Sequence, residues 1–262
     1  MQKKICLAIL VHEKKESIKD LVQNIRYFCP NSFIVLYNGG SDRDLCTDLS
    51  VPVCSHSKPL AWGKLAEFML DTMKWLHEVQ HEYDYLVTMD SDCLFAKRGY
   101  EEFILQEMEH SDYMGVEARI AESWWKPGYT LREEWSKWQP ILHEGPLWGC
   151  FNPAQVFSKR LVERLLSDEK LDLIEKNMRD TEAFALEETL FINWAKWVGV
   201  VPKAYPEHVG RFIRFRDPYT AEEVREYVKA GHNHYLLHPV RRDMQDSARV
   251  YIRSLLKGER HA

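Results

Sequence analysis

No stretch of this sequence reaches the run of about eighteen apolar residues that a membrane-spanning helix needs, which excludes a conventional transmembrane segment. CxxC pairs are also missing, and that removes the common zinc-ligand spacings. Strongly periodic repeats are absent, which argues against a repeat array. An excess of one charge is lacking as well: 35 Lys and Arg stand against 40 Asp and Glu, a net of -5, so no global basic field argues for nucleic acid as partner. The amino terminus runs straight into a short apolar stretch with no cleavage site after it, and a soluble, cytoplasmic protein is expected. The six cysteines, Cys6, Cys29, Cys46, Cys54, Cys93 and Cys150, are scattered, as free thiols in a reducing compartment would be.

What remains is 262 residues, enough for a sizeable core in one large domain, expected to divide into halves at 1–98 and 99–262. Tryptophan is abundant, nine in all, and five of them (Trp124, Trp125, Trp135, Trp138, Trp148) fall in one short region.

The first ninety residues alternate strand and helix. Residues 5–11 form a continuous apolar run of the kind a buried parallel strand shows, closed by His12 and Glu13. Ile18, Leu21, Val22, Ile25 and Phe28 then make a helical stripe, with Pro30 as its stop. Residues 33–37 predict a second strand that breaks into the turn Asn38, Gly39, Gly40, Ser41, Asp42. A short strand is possible at 51–54. Leu60, Leu65, Phe68, Met69, Met73 and Leu76 mark a second helix, its first turn holding Trp62, Gly63 and Lys64. A third strand follows at 85–89. This order predicts an α/β fold with a mainly parallel central sheet flanked by helices.

Beyond it the pattern is weaker. Residues 113–116 read as a strand and 123–148 as a long loop or lid. Residues 157–166 read as a helix, and 183–198 as a helix apolar on nearly every side, hence buried. A polar helix at 221–229, a short apolar run at 235–237 and an arginine-bearing helix at 244–256 complete the chain.

The chemistry-bearing residues begin where the third strand ends, at Asp90, Ser91 and Asp92. In an open α/β sheet, ligands sit outside the carboxyl ends of the strands. Two carboxylates one residue apart repel each other, and a divalent cation is the simplest compensation. Carboxylate oxygens suit magnesium or manganese, which share their shell with phosphate oxygens, and a diphosphate-bearing substrate follows. His238, after the run 235–237, is a candidate third ligand beside Asp90 and Asp92, a set that suits manganese better than magnesium; His232 and His234 compete for that place.

Glu187 and Glu188 lie inside the apolar stretch 183–198. On a helix they point about 100° apart, Glu188 in line with Phe184, Phe191 and Ala195, and Glu187 in line with Ala183, Leu190 and Trp194. At least one should be desolvated, which moves a carboxyl toward the range of a general base. The structural alternative is a pair with Arg179 or Arg211. Trp124, Trp125 and Trp148 offer flat apolar faces for an amphipathic acceptor, whereas Trp194 and Trp197 are expected in the core. Lys58 and Lys64 are candidates for neutralising phosphate.

Together, the strand at 5–11, the NGGSD turn, the DSD triplet, the EE pair and His238 resemble the GT-A glycosyltransferases over nearly the whole chain. The resemblance implies a Rossmann-like GT-A fold with a smaller acceptor-binding portion. It also implies a nucleotide-diphosphate sugar donor, a carbohydrate or other hydroxyl acceptor, and a divalent metal, Mn2+ or Mg2+. Asp92 would hold the metal most directly, with Asp90 and His238. Val11, His12, Asn38, Lys64, Asp90 and Ser91 would line the nucleotide. Glu188 would deprotonate the acceptor in an inverting transfer, with Glu187 the next candidate. Many members carry an aspartate to read uracil where this chain has Asn38. The amino-terminal half also resembles the core-2/I-branching subgroup, which replaces the metal with basic residues; Arg241 and Arg242 keep that variant open. A lipid-linked acceptor would place the protein peripherally at a membrane. The competing enzyme classes are haloacid-dehalogenase-type phosphatases, whose later glycine-aspartate motif is missing, and sugar nucleotidyltransferases, whose glycine-rich amino-terminal loop is missing. A catalytically inactive carbohydrate-binding relative is the non-enzymatic alternative.

Overall fold

The computed structural model describes residues 4–142 and 145–258. Its strands are β1 (Ile5–Val11), β2 (Phe33–Asn38), β3 (Tyr85–Asp90), β4 (Leu94–Phe95), β5 (Tyr113–Ile120), β6 (Trp148–Ser158), β7 (Lys203–Ala204) and β8 (Leu236–Leu237). The helices are α1 (Lys15–Phe28), α2 (Ala66–Glu78), α3 (Tyr100–Glu107), α4 (Lys126–Glu133), α5 (Trp135–Leu142), α6 (Lys159–Leu166), α7 (Leu171–Asp180), α8 (Leu190–Trp197), α9 (Glu207–Gly210), α10 (Ala221–Ala230) and α11 (Ser247–Gly258). None of them is long and apolar enough to cross a membrane.

Six strands form one sheet in the order β2-β1-β3-β6-β5-β7. β6 runs antiparallel to both neighbours, and the other adjacent pairs are parallel. The expected α/β fold with a mainly parallel sheet is therefore present. Every residue of β1 is buried because helices cover both faces. Ile5, Leu7, Ile9 and Val11 face a cluster with α1, α3, α10 and α11; Cys6, Ala8 and Leu10 face one with α2, α5, α6 and α8. The stripe read for α1 is buried as expected. α11 is fastened to α1 by charge: Arg249, wholly buried, meets Asp20 at 2.7 Å, and Arg253 meets the other Asp20 oxygen at 2.7 Å.

The small antiparallel pair β4–β8 decides where the site forms. Leu94 pairs with Leu237 and Phe95 with Leu236, so the DSD turn just before β4 meets His238 just after β8. Asn24 of α1 serves β4 as a neighbouring strand would, giving and taking one hydrogen bond with Phe95.

Several sequence expectations are corrected. Residues 51–54 are not a strand; Val53 makes one isolated bridge to Leu36. The helix expected from Leu60 begins only at Ala66, because a turn closed by Lys64 N–H on the Ala61 carbonyl places Gly63 at φ +74°. The stretch expected as a lid contains α4 and α5, since Pro127 sits in the first turn of α4, where its missing N–H costs nothing; His143 and Glu144 lie outside the described residues. The helix expected from Phe157 starts at Lys159, and β6, unread in the sequence, occupies the residues before it. The single helix over 183–198 is a 3₁₀ turn (Leu186–Glu188) followed by α8, because Ala185 takes a left-handed conformation, φ 50°, with its N–H on the Gly63 carbonyl. Trp194 is in the core as expected, but Trp197 is 40% exposed under Lys170.

Candidate active site

Parallel pairing aligns the carboxyl ends of the first three strands, with Val11 beside Asn38 and Leu10 beside Asp90. The NGGSD turn folds over this edge. Gly39 N–H donates to the Val11 carbonyl at 2.7 Å, and a Cβ on Gly40 would stand 2.5 Å from the His12 carbonyl oxygen, so only glycine fits there. Asn38 spends its amide on the turn itself: Nδ2 donates to the Asp42 carbonyl and Oδ1 accepts from Gly40 N–H. His12 is exposed at the rim, its imidazole pushed down by partial burial and by the Arg242 guanidinium.

The Asp90–Cys93 turn, closed by Cys93 N–H on the Asp90 carbonyl, carries the acidic pair. Val240 N–H donates to the Asp92 carbonyl at 2.8 Å, which fixes the 238–242 segment against it. Two cationic groups converge on one oxygen: Asp92 Oδ1 lies 3.2 Å from Arg242 Nη2 and 3.4 Å from His238 Nε2. Neither is aligned as a hydrogen bond, and that buried oxygen has no hydrogen-bond partner. Burial alone would raise the Asp92 carboxyl; the imidazole and the guanidinium outweigh it and hold it below the ordinary carboxylate value. Asp90 goes the other way, raised by burial and by Asp92. Burial alone would lower the His238 imidazole, and the two aspartates raise it. Arg242 is itself held: its Nε donates to Ser91 Oγ at 2.7 Å, and its carbonyl accepts from Ser17 of α1.

The residues fit a cation. His238 Nδ1 donates to the Arg214 carbonyl at 2.8 Å, which leaves Nε2 to face Asp92 Oδ1. With the imidazole protonated the two are an ion pair; with Nε2 unprotonated they are two acceptors that a metal ion could join. Asp92, Cys93 and His238 form the group of ligand atoms that converges within 4.8 Å. Asp90, expected as a ligand, is not part of it; its oxygens are taken by Asn152 Nδ2 at 3.3 and 3.4 Å. His232 and His234 are not in the group either.

Asp92 and His238 line a cavity of about 450 Å³ together with Lys14, Arg216, Arg241 and Arg242, and with the acids Glu13 and Asp243. The lysines expected to meet phosphate point elsewhere, Lys64 to Glu182 and the Thr181 carbonyl, Lys58 to Glu67 and Asp71.

The second part of the site comes from β6. Between Phe151, which pairs with Val116, and Val156, which pairs with Met114, the strand bulges through Asn152, Pro153, Ala154 and Gln155. Bulges re-aim side chains, and this one sends Asn152 to Asp90. The Asn152 N–H faces the Glu188 carboxylate, and Gln155 Nε2 donates to the Glu187 carbonyl at 2.9 Å. Both glutamates are buried, at 2% and 8% exposure. Because they stand on a 3₁₀ turn, the helical phase expected for them does not apply. Glu187 accepts from Leu65 N–H at 3.2 Å, and burial pushes its carboxyl up to about 7. Burial first, then Glu187, pushes Glu188 well above the ordinary value. The alternative pairings are not formed: Arg179 lies 3.8 Å from Glu175, and Arg211 meets His232.

A second, small cavity of about 50 Å³ is lined by Trp125, Cys150, Phe151, Glu117 and Arg119. The Phe151 ring lies 5.8 Å from both His238 and Phe215, two residues that line the first cavity. Of the tryptophans expected at an acceptor, Trp125 lines this cavity, Trp124 is largely exposed, and Trp148 is half-buried with Lys196 over its ring at 4.7 Å. Asn152, Cys93, Lys14 and Arg216 were missed in the sequence; the one local signal was the Asn-Pro break inside an apolar run.

No protein-family model matches the chain, and no curated protein matches it.

Proposed function

We propose that this chain is a glycosyltransferase of GT-A type, moving a sugar from a nucleotide-diphosphate donor to an acceptor hydroxyl with inversion. The observation that carries the reading is the joint placement of Asp92, His238 and Arg242 in the lining of one cavity that also holds Lys14, Arg216 and Arg241, with Asn152 linking the neighbouring Asp90 to a buried Glu188. The single antiparallel strand in an otherwise parallel sheet supports the same reading, since its bulge supplies Asn152.

In this account Arg242, Arg241, Arg216 and Lys14, which line the cavity, neutralise the diphosphate, and the nucleoside lies toward the carboxyl ends of β1 and β2, where His12 is exposed; Val11 is buried, and Asn38 is held by its own turn. Asp92 and His238 would hold a divalent cation, and such an ion would supply Lewis acidity toward the leaving diphosphate. Glu188, whose raised carboxyl is offset in part by the Asn152 N–H, is the base that takes the acceptor's hydroxyl proton as the new C–O bond forms and the bond to the diphosphate oxygen breaks. Trp125 offers the acceptor a flat face beside the second cavity, with Trp124 and Trp148 farther out. Arg242, already 3.2 Å from Asp92, favours a second reading in which the guanidinium replaces the metal.

The test is a panel of nucleotide-diphosphate sugars, with and without chelator, followed by phosphorus NMR for released nucleoside diphosphate. Metal-dependent release from one donor is expected, and chelator-insensitive release would select the Arg242 variant. Release from no donor under any condition would count against the reading.

A further inference from the structure

We infer that Cys93 is a third protein ligand beside Asp92 and His238, making this a thiolate-bearing site that selects a thiophilic divalent cation of the zinc class over magnesium and manganese. The inference concerns the cation alone and stands or falls without the transferase reading.

The geometry is specific to these residues. Cys93 Sγ, an Asp92 carboxylate oxygen and a His238 ring nitrogen lie within 4.8 Å of one another, and no other such group of three occurs among the described residues. Two of the three atoms are turned toward the same place: Asp92 Oδ1 is buried with no aligned hydrogen bond, and His238 Nε2 faces it at 3.4 Å because Nδ1 is used by the Arg214 carbonyl. Cys93 is wholly enclosed and carries a free thiol.

Ligand chemistry then decides the metal. Two aspartates and a histidine would suit manganese, but Asp90 is held by Asn152 and lies outside the group. Exchanging that oxygen for sulfur gives an O, S, N set, which magnesium avoids and zinc accepts. Three protein ligands would leave one tetrahedral position open, as in catalytic rather than structural zinc sites, and two of the three, Asp92 and His238, line the cavity. Coordination is a ligand exchange: the Cys93 S–H proton leaves to solvent as the sulfur–metal bond forms, and no electron changes hands. Charge also balances. Asp90, Asp92 and the thiolate are three negative groups; the divalent cation and Arg242 supply three positive charges.

The full-length protein, stripped of metal by chelation, would be titrated with Co(II) and followed by absorption. A thiolate-to-cobalt charge-transfer band in the near ultraviolet is expected, bleached by stoichiometric zinc, unaffected by excess magnesium or manganese, and absent in C93S. No band in the wild type, or a band of equal strength in C93S, overturns the inference. Should C93S fail to fold, X-ray absorption of the zinc-loaded wild type decides alone: one sulfur at about 2.3 Å is expected, and a shell of nitrogen and oxygen only contradicts it.

Discussion

Arg242 Nη2 stands 3.2 Å from Asp92 Oδ1, the buried oxygen that lacks a hydrogen-bond partner. The guanidinium thus sits beside the place a cation would take, and it competes with that cation while also facing the cavity that would receive a diphosphate. Arg242→Ala removes both effects at once. Metal affinity should rise and nucleoside-diphosphate affinity at saturating metal should fall, each by roughly tenfold, about 1.4 kcal/mol. Isothermal titration of each ligand separates the two, and a parallel loss of both would contradict the assignment.

Asp92→Asn and Glu188→Gln should fail differently. The first takes away a cation ligand, and metal-dependent nucleotide binding should vanish. The second leaves donor binding intact and lowers turnover by about 10²- to 10⁴-fold, the usual worth of a general base. Near-normal transfer by Glu188→Gln would move the role to Glu187. A retained anomeric configuration in the product would exclude the single displacement.

Glu187 gives the protein a pH-dependent stability with a defined sign. Its folded carboxyl titrates near 7 against an ordinary 4.5, so the folded state keeps a proton that the unfolded chain has lost. The contribution is fully present below 4.5 and is lost as pH rises toward 7, about 3 kcal/mol across the window at about 1.4 kcal/mol per unit. Urea unfolding of wild type and Glu187→Gln should therefore diverge over that window, the variant becoming the relatively more stable at higher pH. A constant difference would mean that the carboxyl is not desolvated.

The charge clip between α1 and α11 bears first on folding, although Arg249 Nε also donates to the carbonyl of Arg241, which lines the cavity. Asp20→Ala leaves Arg249 wholly buried without its carboxylate, a change that costs about 3–5 kcal/mol. A denaturant midpoint within error of wild type would show that α11 is held by its apolar contacts alone.

The first half of the fold was legible because buried parallel strands write themselves as continuous apolar runs, and β1, β2, β3 and α1 were each located to within a residue or two. β6 was not, because Asn152 and Pro153 interrupt its pattern at the bulge that gives it a role. The break of 183–198 into a 3₁₀ turn and α8 depends on Ala185 docking against Gly63, a contact far apart in sequence that no local period records. In the site, Asp92 lies beside His238 because the turn that carries it leads into β4, which pairs with β8 just before His238. Asp90 is engaged instead by Asn152, which reaches it from a strand the sequence hid. Cys93 read as one core thiol among six; only the turn at Asp90–Cys93 brings it beside His238.

The most direct test of the account is a thermal-shift panel of nucleoside diphosphates on the full chain, each with manganese, with zinc and with chelator. The account predicts that one base stabilises the protein only when metal is present, by about 2.7 kcal/mol at a hundredfold its Kd. No stabilisation by any nucleoside diphosphate, with either metal or with none, would contradict it.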